Sequence, residues 1–230
     1  MFRLDQVAKR YHHKSREVVA LEPTSLDIGA GEFLAIVGPS GSGKTTLLST
    51  LGGMLAPTDG KVWLDGRSLY DTSARERAEI RQRRIGFVFQ TFNLIPYLSA
   101  LENVQIPLML SRRHAPADAD RAAALLARVG LQGRLDHKPC ELSIGQQQRV
   151  ALARTLANDP AVILADEPTG NLDPGTREEV LDFFAELCRE GRTVVVVTHD
   201  PVAASRAART IKLADGSIVF DSGRPAQRVA

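Results

Sequence analysis

Gly38-Pro39-Ser40-Gly41-Ser42-Gly43-Lys44-Thr45-Thr46 is the stretch on which the reading of this chain turns. It fits the template G-x-x-x-x-G-K-[ST], with Gly38, Gly43, Lys44 and Thr45 at the specified positions. The run Glu32-Phe-Leu-Ala-Ile-Val37 before it predicts a buried strand. Thr45-Thr-Leu-Leu-Ser-Thr-Leu51 after it predicts a helix, which Gly52 and Gly53 end. Strand, glycine-rich turn and helix form the context in which successive backbone N–H groups turn inward onto phosphate oxygens. The helix N-terminus adds its partial positive charge. Lys44 is then placed to reach β- and γ-phosphates, and the Thr45 hydroxyl to ligate Mg²⁺. The whole loop, Gly38 to Thr46, is the expected nucleotide cradle.

The length of 230 residues suits one large domain, or one domain with a smaller subdomain. With 43% hydrophobic and 24% charged residues the chain supports a sizeable core, so global disorder is not expected. A formal net charge of +2 is too small to argue for a nucleic-acid partner. Cys140 and Cys188 make no metal-like pair, so a reduced, cytoplasmic chain is expected. Met1 to Val7 alternates and carries charge, unlike a signal peptide. No run approaches the roughly 18 apolar residues of a membrane span, so a membrane role would come through a partner.

Residues 2–11 and 18–28 read as two strands, the first ending at Tyr11, and 60–69 as a hairpin turning at Asp65-Gly66. Arg75 to Arg84 predicts a charged helix and Ile85 to Phe89 a strand. Residues 91–157 read as a largely helical insertion. It has an apolar stretch interrupted by Pro107, a polar break at 111–120, and a short helix from Ala122 to Val129 capped by Gly130. The second half alternates strand and helix: 161–165, 174–190, 193–197, 201–208, then a hairpin through Asp215-Gly216 and ten loosely held residues. Such alternation predicts a parallel sheet with helices on its faces.

Polar residues follow each central strand: the glycine-rich loop after 33–37, Gln90 after 85–89, Asp166 and Glu167 after 161–165, Thr198 and His199 after 193–197. Ligands of open α/β sheets bind beyond the carboxyl ends of the strands, so these groups are expected to converge. Asp166 suits Mg²⁺, directly or through water, and Glu167 suits polarising an attacking water. Gln90 suits orienting water or metal. His199 suits a hydrogen bond to a γ-phosphate oxygen while aligning the carboxylate. A further stretch, Leu142-Ser-Ile-Gly-Gln-Gln-Gln-Arg149, opens a helix running to about 158. Ser143 and Gln146 have capping-box spacing, and a helix start with Ser143 and Gly145 is also an anion site. Asp173 followed by Pro174 is a strong N-cap signal.

Over nearly the whole chain these residues resemble an ATP-binding subunit of ABC transporters: Walker A at Gly38–Thr45, Walker B at 162–166 with Glu167, a signature at Leu142–Gln146, a D-loop at Asn171–Asp173, Gln90 as Q-loop, His199 as switch histidine, and Tyr11 as the aromatic that stacks on adenine. One departure stands out, Ile144 in place of the first signature glycine. The resemblance implies a P-loop NTPase of α/β class. It has a parallel core sheet and antiparallel β subdomain (1–90 and 158–230) and a helical signature subdomain (91–157). It implies ATP and Mg²⁺ as cofactors, and catalysis by Glu167, His199, Gln90 and Lys44. It implies metal ligation by Thr45, Gln90 and Asp166. It also implies a nucleotide sandwiched head to tail in an ATP-dependent homodimer, with Ser143, Gly145, Gln146 and Asp173 completing the opposite site.

A membrane permease is implied as partner, docked near Phe92, Leu94, Ile95, Tyr97 and Leu98, with the chain peripheral on the cytoplasmic face of the inner membrane. No nucleic-acid partner is implied. Residues 92–96, 100–107 and 166–173 are similar to those of the bacterial lipoprotein-release and macrolide-export branch. A division regulator of cell-wall enzymes shares much of this wording. A DNA-acting ATPase of the family is disfavoured, because residues 46–141 contain no heptads and no cysteine cluster.

Overall fold

The computed structural model describes residues 1–13, 16–110 and 118–223, with residues 12, 13 and 16 described by backbone alone. The apolar runs of the sequence become a six-stranded sheet. Its strands are β3 (Phe33–Val37), β6 (Ile85–Phe89), β7 (Val162–Asp166), β8 (Thr193–Val197), β9 (Arg209–Ala214) and β10 (Ser217–Asp221). The order is β10-β9-β3-β8-β7-β6, parallel throughout except for the β9–β10 hairpin. Strands buried on both faces need no polar side, and residues 33–36, 162–165 and 193–197 are all buried.

Alternate side chains feed two cores. Leu34, Ile36, Leu164, Val195 and Val197 pack with Leu47 and Leu51 of α1 (Lys44–Leu51). Phe33, Ile163, Val194 and Val196 pack with Val180, Phe184 and Leu187 of α6 (Pro174–Arg189). Register is shared across the sheet: Phe89 lies opposite Asp166, Asp166 opposite Val197, and Val197 opposite Ile36. The four strands therefore stop in one row.

A four-stranded antiparallel sheet, β2-β1-β4-β5, joins β1 (Phe2–His13), β2 (Arg16–Ile28), β4 (Asp59–Leu64) and β5 (Arg67–Ser68). β1 does not end at Tyr11. Pairing with β2 continues through Tyr11 opposite Val18 to His13 opposite Arg16, because the ladder outlasts the apolar pattern. α2 (Ala74–Arg84) starts at a Ser73–Glu76 capping box.

Between β6 and β7 the chain is helical: α3 (Ala100–Met109), α4 (Asp118–Arg128) and α5 (Ile144–Leu156), with a 3-10 turn at Pro139–Glu141 that the sequence pattern did not signal. These helices share a core of their own, with Val104, Leu108, Leu126, Val150 and Ala153 among its members. Pro107 does not interrupt α3; it sits in the last turn, where its carbonyl accepts from Asn158 Nδ2 at 3.2 Å. α4 begins at Asp118 rather than Ala122, since Asp118 and Asp120 suit the positive end of a helix. Arg128 ties α4 to α6 through Glu186 and Glu190. α7 (Pro201–Arg206) precedes β9 and is shorter than the 201–208 expected. Of the expected polar break and loose tail, residues 111–117 and 224–230 lie outside the described residues.

Phe184 is fully buried with its ring edge-on to Phe33 at 6.4 Å. Phe184→Ala is expected to destabilise the chain by about 3–5 kcal/mol, as large-to-small core changes do. Urea unfolding of both proteins measures it.

Candidate functional site

The glycine-rich loop is closed by its surroundings. A Cβ at Gly38 would lie 2.3 Å from the Leu213 carbonyl oxygen, and one at Gly43, whose φ is +98°, would lie 2.3 Å from that of Ala20. Only glycine fits either position. Lys44 is buried, and its Nζ donates to the carbonyls of Gly38 at 2.8 Å and Pro39 at 2.9 Å, so the ammonium is held under the loop. Ser42 is buried too, with a hydroxyl that has no hydrogen-bond partner among the described residues. Pro39, Ser40 and Gly41 are exposed at the rim, and Thr46 is half-buried on α1.

Thr45 Oγ1 donates to Asp166 Oδ2 at 3.3 Å, which joins the loop to the end of β7. Burial pushes the Asp166 carboxyl above the ordinary aspartate range. The Thr45 bond opposes that shift and the neighbouring Glu167 charge adds to it. A desolvated carboxylate touching a threonine hydroxyl suits Mg²⁺, which takes one or two protein oxygens and completes its shell from phosphates and water. Among the described residues no group of three or more His, Cys, Asp or Glu side chains could by itself hold a metal ion.

Glu167 departs from strand geometry. Its φ is +47°, in the left-handed region that non-glycine residues seldom occupy. Its amide still donates to Val197 O at 2.9 Å, so the turn is pinned to β8. The carboxylate faces the end of that strand: Oε1 lies 2.8 Å from His199 Nδ1, and Oε2 accepts from Thr198 Oγ1 at 3.3 Å and from the His199 amide at 3.4 Å. The His199 side chain is 72% exposed and that of Glu167 17%. Gln90 sits beside the same loop. Its carbonyl accepts from Asn171 Nδ2 at 3.2 Å, and its carboxamide nitrogen approaches Gly170. The loop, Asp166, Glu167, Gln90 and His199 thus gather at the carboxyl edge of the core sheet. Tyr11 stands on the antiparallel sheet, 42% exposed, with the Lys9 ammonium 5.3 Å from its ring centre.

The remaining expected residues lie at the starts of two other elements, α5 and α6. α5 packs on α3, α4 and β6, whereas α1 packs on β2, β7 and β8. Ser143 caps α5 by accepting from the Gln146 amide at 3.2 Å, and Gln146 Oε1 accepts from the Ser143 amide at 3.0 Å. Asp173 caps α6, accepting from Thr176 N at 3.1 Å and Thr176 Oγ1 at 2.7 Å. Those Thr176 bonds hold its carboxyl below the usual range. The two helix starts touch: a Cβ at Gly145 would meet Thr176 Cγ2 at 2.8 Å. Ile144 points outward and is 54% exposed. A side chain at 145 would have to displace that of Thr176, while position 144 has room for one.

An open groove of about 510 Å³ runs between α2, β6 and α3, with Met54, Arg81, Phe87, Phe89, Ile106 and Leu110 among its walls. Of the apolar residues expected nearby, Ile95 and Tyr97 are exposed, whereas Phe92, Leu94 and Leu98 are half-buried. Phe92 and Asn93 both have positive φ, +58° and +51°. Arg154 of α5 donates to both of their carbonyls, at 2.5 and 2.6 Å. Burial lowers the pKa of its guanidinium. Sequence reasoning gave no role to Arg154 or Thr198. Both act through partners more than thirty residues away, and only the strand-end position of Thr198 was a signal.

A family model described as ABC transporter matches residues 21–170. The chain is 47% identical over 221 residues to an uncharacterized ABC transporter ATP-binding protein, YvrO of Bacillus subtilis, covering 96% of each. It is 48% identical over 223 residues to the macrolide export ATP-binding/permease protein MacB of Escherichia coli, covering 97% of this chain and 34% of that one. It thus spans about a third of the length of that relative. The solved dimeric structure of MJ0796, described as a bacterial ABC transporter cassette, superposes with a TM-score of 0.90 at 45% identity, covering 96% of this chain and 98% of that one. Another structure of MJ0796, in a post-hydrolysis state with ADP and Pi, has a TM-score of 0.90 at 44% identity, over 96% and 98% of the two chains.

Asp166 gains a proton more readily folded than unfolded, so its ionised form costs folded-state stability at neutral pH. Asp166→Asn is expected to raise the thermal midpoint of the nucleotide-free chain while depressing ATP turnover. Calorimetry at pH 7 beside an ATPase assay checks both signs.

Proposed function

The chain belongs to the ABC transporter family, and from that premise we propose that it is the ATPase subunit of a membrane export or lipoprotein-release complex, working as an ATP-dependent homodimer. ATP lies along Gly38–Thr46, with Lys44 on the β- and γ-phosphates and Tyr11 against the adenine. Thr45 and Asp166, with Gln90, hold Mg²⁺, which neutralises charge on the phosphates when bound. Glu167 polarises the attacking water, and His199 aligns it and reaches the γ-phosphate. The observation that carries this reading is the pair of contacts Thr45–Asp166 and Glu167–His199, which bring three separate segments to one edge.

Ser143, Gly145, Gln146 and Asp173 complete the nucleotide site of the second copy, head to tail. The packing of α5 on α3, α4 and β6 rather than on α1, and the dimeric state of MJ0796, support that arrangement. Residues 1–90 and 158–230 form the core with its β subdomain, and 91–157 the helical subdomain, which the separate helical core supports. A permease docks in the groove beside Phe92–Leu98. The macrolide-export relatives, whose names join an ATP-binding part to a permease, support both the dock and the export role. Among the described residues no helix is long and apolar enough to cross a membrane, which fits a peripheral subunit on the cytoplasmic face.

Glu167→Gln is expected to bind ATP normally and to slow hydrolysis roughly 10²–10⁴-fold, the usual worth of a positioned general base. The variant should then accumulate as an ATP-bound dimer on size exclusion, whereas the nucleotide-free chain elutes as a monomer. Unimpaired hydrolysis would move the role to another residue.

Ile144→Gly is expected to change turnover less than about tenfold, or about 1.4 kcal/mol of barrier. Ser143 and the backbone N–H groups make the helix start, and the Ile144 side chain is exposed. Steady-state ATPase rates with the permease present decide it. A hundredfold rise would mean that Ile144 throttles the site.

A further inference from the structure

Glu167 divides its two oxygens between unlike partners. Oε1 takes the His199 ring at 2.8 Å, and that side chain is 72% exposed. Oε2 takes Thr198 Oγ1 at 3.3 Å, and Thr198 is fully buried. We propose that Thr198 is the positioning residue for Glu167: its hydroxyl holds Oε2 in place while Oε1 is released to meet the attacking water. The proposal rests on the reading of Glu167 as the group that polarises that water.

Thr198 is built for a fixed aim. Its amide donates to Ile36 O at 3.1 Å, which anchors the residue to β3. A hydroxyl has one proton to give and lone pairs to accept with. The Asp200 amide donates into Thr198 Oγ1 at 3.0 Å, which leaves the proton to point at Glu167. Asp200 is itself held, as the N-cap of α7 and by Arg177 at 3.4 Å. The sheet register puts Asp166 opposite Val197, so the next residues, Glu167 and Thr198, are neighbours by construction. The positive φ of Glu167 belongs to the same arrangement, since its amide stays on Val197 O at 2.9 Å while the carboxylate reaches Thr198.

The two partners therefore differ in what they can do. An exposed imidazole is free to turn toward a γ-phosphate oxygen, and when it turns it gives up Oε1. A buried hydroxyl on a strand end has nowhere to go. Without it, Oε2 would keep only the His199 amide, at 3.4 Å, at the step in which the His199 ring lets go. The residue does not touch the reacting atoms and acts through the carboxylate.

Three variants of the full-length chain test this, assayed with ATP and Mg²⁺ in steady state and in single turnover. Thr198→Val keeps the shape and removes the hydroxyl. It is expected to lower kcat on the order of 10- to 100-fold, as misplacing a reacting group by about 1 Å does. Its KM for ATP should stay within about twofold, because the lost interaction serves the transition state and not binding. Thr198→Ser restores the hydroxyl and is expected to recover most of the rate. In a Glu167→Gln background, Thr198→Val should cost nothing further, since the group it positions is already disabled. Should Thr198→Val not fold, Thr198→Ala takes its place against the same Ser variant.

A Thr198→Val enzyme turning over like the parent while Glu167→Gln is inactive would overturn the role of Thr198 and leave that of Glu167. So would an equal loss from Thr198→Val in both backgrounds. A Glu167→Gln enzyme that hydrolyses normally would instead remove the reading beneath it.

Discussion

The site depends on the register of four parallel strands. Phe89, Asp166, Val197 and Ile36 lie in one row across β6, β7, β8 and β3. Gln90, Glu167, Thr198 and the run into Gly38 are therefore carried to the same edge without any further device. The register is enforced from both faces. Leu34, Ile36, Val195 and Val197 enter one core while Phe33, Val194 and Val196 enter the other. A slip of one residue in β7 or β8 would move a functional side chain by about 3.3 Å and turn it to the opposite face. Precision at the chemistry thus comes from apolar packing beneath it.

What the sequence made legible were features that local patterns carry. The runs at 33–37 and 193–197 read as buried strands because such strands have no polar side, and the structure has them there. The glycine-rich loop was legible from its spacing, and the steric demand at Gly38 and Gly43 accounts for that spacing. Boundaries set by pairing partners were not. β1 continues to His13 because Arg16 lies opposite it, and no property of residues 11–13 alone announces that. The left-handed turn at Glu167 was equally silent. A glutamate carries no mark of positive φ, and the fold imposes it through a bond to Val197.

Arg154 illustrates the same limit at longer range. It lies in α5, sixty-two residues from Phe92, yet it bonds the carbonyls of Phe92 and Asn93, the two peptides that follow Gln90 with positive φ. Strained backbone persists where surrounding structure over-determines it, and here a half-enclosed guanidinium does so. The same side chain lines the apolar groove. The strained turn, the groove and the helix that starts at Ser143 consequently share one side chain, a coupling that no motif spells out.

Ile144 and Gly145 bear on how motifs are read in related chains. A pattern that scores two adjacent glycines as equivalent would mark this chain as defective by one. The contacts rank them differently: at 145 a Cβ would press on Thr176 at 2.8 Å, while at 144 the side chain stands in the open. A substitution at the second glycine would therefore press on the Thr176 side chain, whose hydroxyl bonds the Asp173 cap of α6. One at the first alters only what the helix shows to its surroundings. Position 144 thus accepts a branched side chain without cost to the packing of α5 beside α6.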